Sequence, residues 1–371
     1  MKQIRLAWDN CFARRNLTGT GVYAARLLEQ LSGDPELAVN VFDGWPAPTR
    51  GGGILRRRLK FAGNMAWTHL DLPLRLWRGN FDLLHAPAFI APVKAPCPVV
   101  ITMHDITYLL YPSHFARWWV RYMTSVVPIT VKSAAAIICG SEHSKRDLLE
   151  AYKLTPGRVH VVPYGVDHER FRPGTPLNAG WAQQAGIREG YILHVGELSH
   201  RKNIPALLRA IAQLRSQGKW GERQLVLAGA EAPGMLGADE ISETIKQQEL
   251  SALVVLAGRI ADEHLPGLYS QASLLVMPSL YEGFGFPVLE AMAAGTPVVS
   301  SNTSSLPEVA GDAAVLVSPQ DITALAEAIM EVLSQPKRAA DLRAKGLAWA
   351  LQFNWQRTAA ETIAVYRGVA G

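Results

Sequence analysis

Arg201 and Lys202 stand side by side, directly ahead of a segment that reads as a helix start, Asn203-Ile-Pro205. Asn is a frequent N-cap and Pro suits the first helical turn. A helix N-terminus already carries partial positive charge, so two cations beside it are unfavourable until an anion joins them. The pair therefore reads as a phosphate site. Two carboxylates, Glu282 and Glu290, flank Gly283-Phe-Gly-Phe-Pro287. Pro287 begins a helix that Gly295 stops, which puts Glu282 in a Gly-rich loop and Glu290 in about the first turn. The two acids are thus not a pair on one helix face. A loop carboxylate can hydrogen-bond sugar hydroxyls, and one at the helix start can hold a ribose diol. For Glu290 the helix dipole alone is a sufficient reason, worth roughly 0.5 kcal/mol. His104-Asp105 follows the apolar run Val99–Met103. A His there can donate to a ligand or accept a proton; the dipeptide can equally do no more than satisfy local backbone groups. Gly19, Gly21 and Ala24 fit G-x-G-x-x-A, the dinucleotide pattern, but a long loop separates them from the strand ending at Trp8, and no clean acid ends the next strand, Asp43 being the nearest. A Gly loop that lets backbone N–H groups approach a phosphate or sugar suits Gly19-Thr20-Gly21 better, with a plain turn before a helix Val22–Leu31 as the bland alternative.

These residues all follow short β-rich runs. Candidate strands are Ile4–Trp8, Val39–Phe42, Phe81–His85, Val99–Met103, Ala136–Cys139 and Val159–Val162, then Tyr191–Val195, Gln224–Ala228, Val254–Leu256, Leu274–Met277, Pro297–Ser300 and Ala314–Val317. Helical patterns alternate with them, which specifies parallel α/β layers. The stretch Asp167–Gly190 is rich in Pro and Gly and has no strong period, so it reads as a domain boundary. The expected organisation is an N-terminal Rossmann-like domain over 1–166, a linker over 167–187, a second doubly wound domain over 188–350, and a final helix within 351–371 that can reach back to the first domain. Ligands of such sheets bind beyond the carboxyl ends of the strands, in a cleft between the domains.

Composition agrees. The chain has 371 residues, 49% of them apolar and 19% charged, enough core for two domains. No apolar run reaches the length of a membrane-spanning helix, and the N-terminus reads as a strand and not as a signal peptide. Cys11, Cys97 and Cys139 have no metal or redox spacing and suit reduced thiols in a cytoplasmic protein. A net charge of +5 suits an anionic ligand or an acidic membrane surface and selects neither. Ile54–Phe61 and Ala116–Tyr122 mix cations with large apolar side chains, which fits either peripheral contact with an anionic membrane or ordinary amphipathic helices.

The ordered set Glu282…Glu290, Ala291-Met-Ala-Ala-Gly-Thr-Pro-Val-Val299, Gly196…Arg201-Lys202-Asn203, His104-Asp105, Gly140-Ser-Glu-His-Ser-Lys145 and Val162-Pro-Tyr-Gly-Val-Asp167 resembles the GT-B glycosyltransferases of family 4 over nearly the whole chain. Within them it is most similar to bacterial mannosyltransferases of O-antigen and surface polysaccharide synthesis. The resemblance implies two Rossmann-like domains facing a central cleft, and a retaining hexosyl transfer from a nucleotide sugar, GDP-mannose first, to a glycan or lipid-linked acceptor. It implies that Arg201 and Lys202 hold the donor diphosphate, that Glu290 binds the ribose, and that Glu282 lies beside the donor sugar with Phe284, Gly285 and Phe286 supplying loop backbone. His104 would lie near the sugar's C6 side, Gly19, Thr20 and Gly21 near the diphosphate and acceptor, and the base near Gly229, Arg259 and Ile260.

The chemistry expected of these residues needs no metal: preorganised cations stabilise a leaving diphosphate. There is no D-x-D, and no His/Cys cluster at metal spacing; Asp167 and Glu169 form a D-x-E on a loop, which is a poor metal site. No cofactor and no nucleic-acid partner are expected. The rival enzyme reading is a sugar-nucleotide epimerase of the same fold, or transfer from a UDP-hexose or another GDP-sugar; a catalytically silent homologue conflicts with the intact set His104, Arg201, Lys202, Glu282 and Glu290.

Overall fold

Short runs of β-branched and aliphatic residues become twelve strands in the computed structural model, which describes residues 3–12, 19–45, 63–231 and 236–370. The first sheet holds β1 (Ile4–Asp9), β2 (Leu37–Phe42), β3 (Leu83–Ala86), β4 (Val99–Thr102), β5 (Ala136–Cys139) and β6 (Val159–Val161) in the order β2-β1-β3-β4-β5-β6. The second holds β7 (Ile192–Val195), β8 (Leu225–Ala228), β9 (Val254–Gly258), β10 (Leu274–Met277), β11 (Val298–Ser301) and β12 (Val315–Val317) in the order β12-β11-β10-β7-β8-β9. Every strand pairing among the described residues is parallel, for example Ile4 with Leu37 and Ile192 with Leu225. Both doubly wound sheets expected from the sequence are present.

In each sheet the strand order reverses beside its first strand. β1 lies between β2 and β3, and β7 between β8 and β10. Ligand crevices of open parallel sheets form at such points, outside the carboxyl ends of the strands. At β7 and β10 those ends lead into Gly196–Lys202 and Pro278–Glu282.

The chain divides into two units: Met1–Ile106, Arg121–Gly165 and Trp355–Gly371 form the first, and Thr107–Val120 and Val166–Asn354 the second. This differs from the expected boundaries in two places. The stretch read as a linker, 167–187, is folded into the second unit. Asp167 Oδ1 accepts from the backbone N–H groups of Glu169 and Arg170, Phe171 is buried, and Asn178 caps a short helix, Ala179–Gln184, whose Trp181 stacks on His264. Asp167 is therefore a turn former. Its polar, Pro-rich sequence follows the path of the chain over the unit's surface and not a free connection. The segment Thr107–Val120, expected in the N-terminal domain, also packs within the second unit.

The helix Trp355–Ala370 belongs to the first unit. Tyr366 Oη lies 2.5 Å from His85 Nδ1, His85 Nε2 lies 2.9 Å from Thr102 Oγ1, and Tyr23 Oη lies 3.0 Å from the same hydroxyl. Burial pulls His85 down to about 3, so this chain of groups is neutral at physiological pH. Thr358 Oγ1 also donates to Pro163 O, and Arg367 pairs with Glu36. In the second unit, the helices Ile204–Ser216 and Ile322–Ser334 cover one face of the sheet with Ile204, Leu207, Ile211, Leu325 and Ile329, all at most 1% exposed.

Candidate active site

β7 ends at Val195, and the chain turns at Gly196 before a single 3₁₀ turn, His200–Lys202, leads into the helix Ile204–Ser216. β10 ends at Met277, and the loop that follows reaches Glu282. These two strand ends bring three ionisable side chains together. Arg201 Nη1 donates to Glu282 Oε2 at 2.5 Å and to Tyr281 O at 3.0 Å, while Lys202 Nζ donates to Glu282 Oε1 at 2.7 Å. Their side chains are only 12%, 6% and 8% exposed, in the order Arg201, Lys202, Glu282. Burial by itself would raise the Glu282 carboxyl, but Arg201 and then Lys202 outweigh it and hold it at about 2. Burial draws Lys202 below the ordinary lysine range, with Glu282 opposing. Glu197 stands farther off, 3.8 Å from Arg201. Both oxygens of Glu282 are thus committed to cations, which fits a positioning carboxylate better than a nucleophile. Backbone contacts fix the loop as well: Glu282 N donates to Ser304 Oγ, and Ser305 Oγ bonds the carbonyls of Glu282 and Phe284.

Two expectations need correction here. Asn203 does sit at the N-cap position, but in a left-handed conformation (φ 52°) and without a side-chain cap bond. Its amide instead donates to Pro278 O and Pro319 O, tying the loops after β10 and β12 to the helix start. Glu290 is not in the first turn of its helix, which runs Phe286–Ala293 from a Gly285 cap. It lies one turn deeper, buried, where Tyr269 Oη donates to its Oε2 at 2.8 Å. Burial raises its carboxyl above the ordinary range, opposed by the Tyr269 hydrogen bond and by Arg170. The dipole reading of Glu290 therefore loses its basis, and a buried, singly bonded carboxylate remains. Arg170 and Tyr269 are neighbours that the sequence reading missed. They come from the supposed linker and from a separate short helix, and no local pattern marks either.

Glycines shape the rest of the site. A Cβ on Gly229, at the end of β8, would lie 1.7 Å from Gly196 O, so the two strand ends approach backbone to backbone. Gly285 (φ 123°) has Leu306 Cδ2 at 2.9 Å from the place of a Cβ, which leaves no room for a side chain. Phe284 is buried against Phe286, with ring centroids 5.4 Å apart. Arg259 and Ile260 follow β9, the first exposed and the second half-buried.

In the first unit, Gly19, Thr20 and Gly21 form the first turn of the helix Gly19–Ser32, so the helix begins earlier than the turn reading had it. His104 follows β4 and is oriented at both ring nitrogens. Nε2 must donate to Pro87 O, a carbonyl, at 3.2 Å, so Nδ1 accepts from Tyr164 Oη at 2.9 Å. Burial pulls His104 down to about 4. It is neutral at physiological pH, and neither nitrogen is available as a base in this geometry. Ser144 Oγ donates to His104 O, so Ser144, Tyr164 and His104 meet in the first unit although they are far apart in sequence.

Comparison with known proteins gives the arrangement a relationship. A family model described as glycosyl transferases group 1 matches residues 181–349, and one described as Glycosyltransferase Family 4 matches residues 18–170. The O-antigen chain mannosyltransferase B of Escherichia coli is 31% identical over 77% of this chain and 74% of its own length. The chain belongs to glycosyltransferase family 4. The chain is also similar to the MMP alpha-(1->4)-mannosyltransferase of Mycolicibacterium hassiacum, 32% identical over 78% of this chain and 71% of that protein. The sucrose-phosphate synthase of Thermosynechococcus elongatus shares its GT-B fold, with a TM-score of 0.76, 23% identity, and coverage of 99% of both chains. This protein is accordingly a group 1 glycosyltransferase that transfers a sugar. In this glycosyltransferase, Arg201, Lys202 and Glu282 are one ion-paired group at the reversal point of the second sheet, and Glu290 with Tyr269 is a separate hydrogen-bonded pair. His104 and Gly19–Gly21 belong to the first unit. Among the described residues no group of three or more His, Cys, Asp or Glu is placed to hold a metal ion, and no helix is long and apolar enough to cross a membrane.

Proposed function

We propose that this glycosyltransferase transfers mannose from GDP-mannose, with retention and without a metal, to a glycan or lipid-linked acceptor of a surface polysaccharide. The observation that carries the reading is the Arg201–Lys202–Glu282 group at the carboxyl ends of β7 and β10. Two buried cations stand beside a helix N-terminus, paired closely with Glu282 and more distantly with Glu197, and can turn their donors to a leaving nucleoside diphosphate. Glu290, buried and bonded only once at Oε2, is a suitable acceptor for a ribose diol. The mannosyl part rests on the names of the two relatives.

The geometry also bears on the route. A carboxylate whose two oxygens are both ion-paired and whose proton affinity is low is a poor nucleophile, and His104 has no free ring nitrogen. Same-face attack is the route these contacts favour: the acceptor hydroxyl attacks the anomeric carbon, the bond to the diphosphate breaks, and a leaving phosphate oxygen takes the hydroxyl's proton. A lipid-linked acceptor would place the enzyme at the cytoplasmic face of the membrane. Arg117, Trp118 and Arg121 are exposed on the helix Arg117–Ser133 and suit an anionic surface; the other basic patch, residues 54–61, lies outside the described residues.

The test is a melting-temperature panel with GDP-mannose, GDP, UDP-glucose, UDP and ADP, followed by turnover with the best donor. A ligand at a hundred times its Kd adds about 2.7 kcal/mol, a rise of roughly 5–10 °C for a unit of this size. GDP and GDP-mannose should give that rise and UDP-glucose should not. Turnover should persist in EDTA; activity abolished by EDTA and restored by Mg²⁺ or Mn²⁺ contradicts the metal-free mechanism.

A further inference from the structure

The segment Thr107–Val120 follows His104-Asp105 in the chain yet packs within the second unit. Its main chain is pinned there: Leu236 N donates to His114 O at 3.0 Å, and His200 N donates to Leu236 O at 2.8 Å. Its rings are placed as firmly. Tyr111 stacks on His114 with centroids 5.2 Å apart and lies 5.9 Å from Tyr281, while His114 lies 5.6 Å from His200. His200 precedes Arg201, and Tyr281 precedes Glu282 and accepts from Arg201 Nη1. One segment therefore braces both loops that assemble the ion-paired group.

His114 also carries an unanswered polar atom. Its Nδ1 is buried and has no hydrogen-bond partner among the described residues. Buried polar groups are nearly always paired, so an orphan beside a binding site calls for an explanation. Tyr111 faces the ring from its own segment and His200 from the 3₁₀ turn, with the Arg201 charge near enough to act on it; Tyr281, from the loop after β10, lies against Tyr111. Behind His200, Glu240 on the helix Ala238–Gln247 sits 3.0 Å from its Nδ1, and Arg209 stands 3.9 Å from Glu240. Glu282 and Glu197 pair with Arg201. Among the described residues no carboxylate acts on His114 directly, and burial, then His200 and Arg201, disfavour its charged form. An incoming polyanion at Arg201 reverses the sign of that field.

We propose that His114 is a positioning residue of the donor site, packed against His200 beside Arg201, that takes up a proton from solvent when the donor's diphosphate occupies the site. This rests on the assignment of Arg201 and Lys202 as the diphosphate site. In the free enzyme burial and the neighbouring His200 and Arg201 disfavour the imidazolium; with the anion present the imidazolium is favoured and adds a positive charge near Arg201. Donor binding then strengthens as pH falls through the ordinary histidine range.

The test is calorimetric titration with GDP and with UDP, from about pH 6 to about pH 8.5, in two buffers of different ionisation heat, on the wild type, His114→Phe and Arg201→Ala. Phe keeps the stack on Tyr111 and the contact with His200 but has no nitrogen. The nucleotide's terminal phosphate titrates in the same range in every protein, so the difference between wild type and His114→Phe isolates the imidazole. The wild type should take up more protons than His114→Phe near neutrality and bind the nucleotide up to about tenfold more tightly than the variant at about pH 6, with the two converging at high pH. Equal proton uptake and equal pH slopes overturn the proposal, and so does an affinity loss in His114→Phe that is the same at every pH, since that is a packing defect. If His114→Phe fails to fold, His114→Asn is read in the same way. Arg201→Ala binding as tightly as wild type shows instead that the diphosphate site itself is misplaced, and the proposal falls with it.

Discussion

Glu282→Gln isolates the charge of the central carboxylate while keeping its size. In the folded enzyme Arg201 and Lys202 overcome burial and hold Glu282 at about 2, against an ordinary value of 4.5. A displacement of that size corresponds to about 3 kcal/mol in favour of the ionised form, at 1.36 kcal/mol per unit. The folded value lies below the unfolded one, so this stabilisation is fully present above about pH 4.5 and is lost as pH falls toward 2. Gln resembles the protonated acid and also leaves two buried cations without their counter-charge. Calorimetric melting of the variant at neutral pH should therefore show the transition of the second unit lowered by roughly 5–12 °C. The gap to wild type should narrow as both are melted at successively lower pH between about 5 and 3. An unchanged transition at neutral pH, or a gap that widens on acidification, refutes the reasoning. Either result would mean that the desolvation of three charges cancels their attraction.

Glu290→Gln should behave oppositely. Its carboxyl is raised by burial, so its ionised form costs stability as pH rises through that raised value. The variant should melt slightly higher than wild type above neutral pH and equally at acid pH, while losing about 10–100-fold in nucleotide affinity for want of a charged hydrogen bond. Melting curves and nucleotide titration check the two halves separately, and a variant that binds nucleotide normally removes Glu290 from the ribose assignment. Gly229→Ala places a methyl 1.7 Å from Gly196 O and should destabilise the second unit by about 3 kcal/mol in urea titration; a loss below about 0.5 kcal/mol would show that the strand ends part easily.

What the sequence made legible was local. Each strand from Ile4–Asp9 to Val315–Val317 rests on a short apolar run closed by turn residues, and such a run carries its own signal. Arg201, Lys202 and Glu282 stand out in the sequence because they follow strands, where sheet geometry puts ligands. Their mutual pairing was not legible, since about eighty residues separate the cations from the carboxylate and only the neighbouring of β7 and β10 joins them. Asn203 failed as a cap because its amide finds two carbonyls from distant loops, a tertiary preference that overrides the local one. Arg170 was hidden in a polar, Pro-rich stretch that resembles a linker, because a surface-following segment and a free connection have the same composition. Tyr111 and His114 were missed because nothing in their spacing reveals that their segment folds onto the second unit.

The most direct test is equilibrium binding of GDP to wild type and to the Arg201→Ala/Lys202→Ala double variant, measured at low and at moderate salt with melting curves as a folding control. Two charge-assisted contacts to a diphosphate are worth about 1.5–3 kcal/mol each. The double variant should thus bind at least about 100-fold more weakly, with a smaller salt dependence than wild type. A folded double variant that binds GDP within a few-fold of wild type, with the same salt dependence, would contradict the assignment of this ion-paired group as the site of the donor's diphosphate.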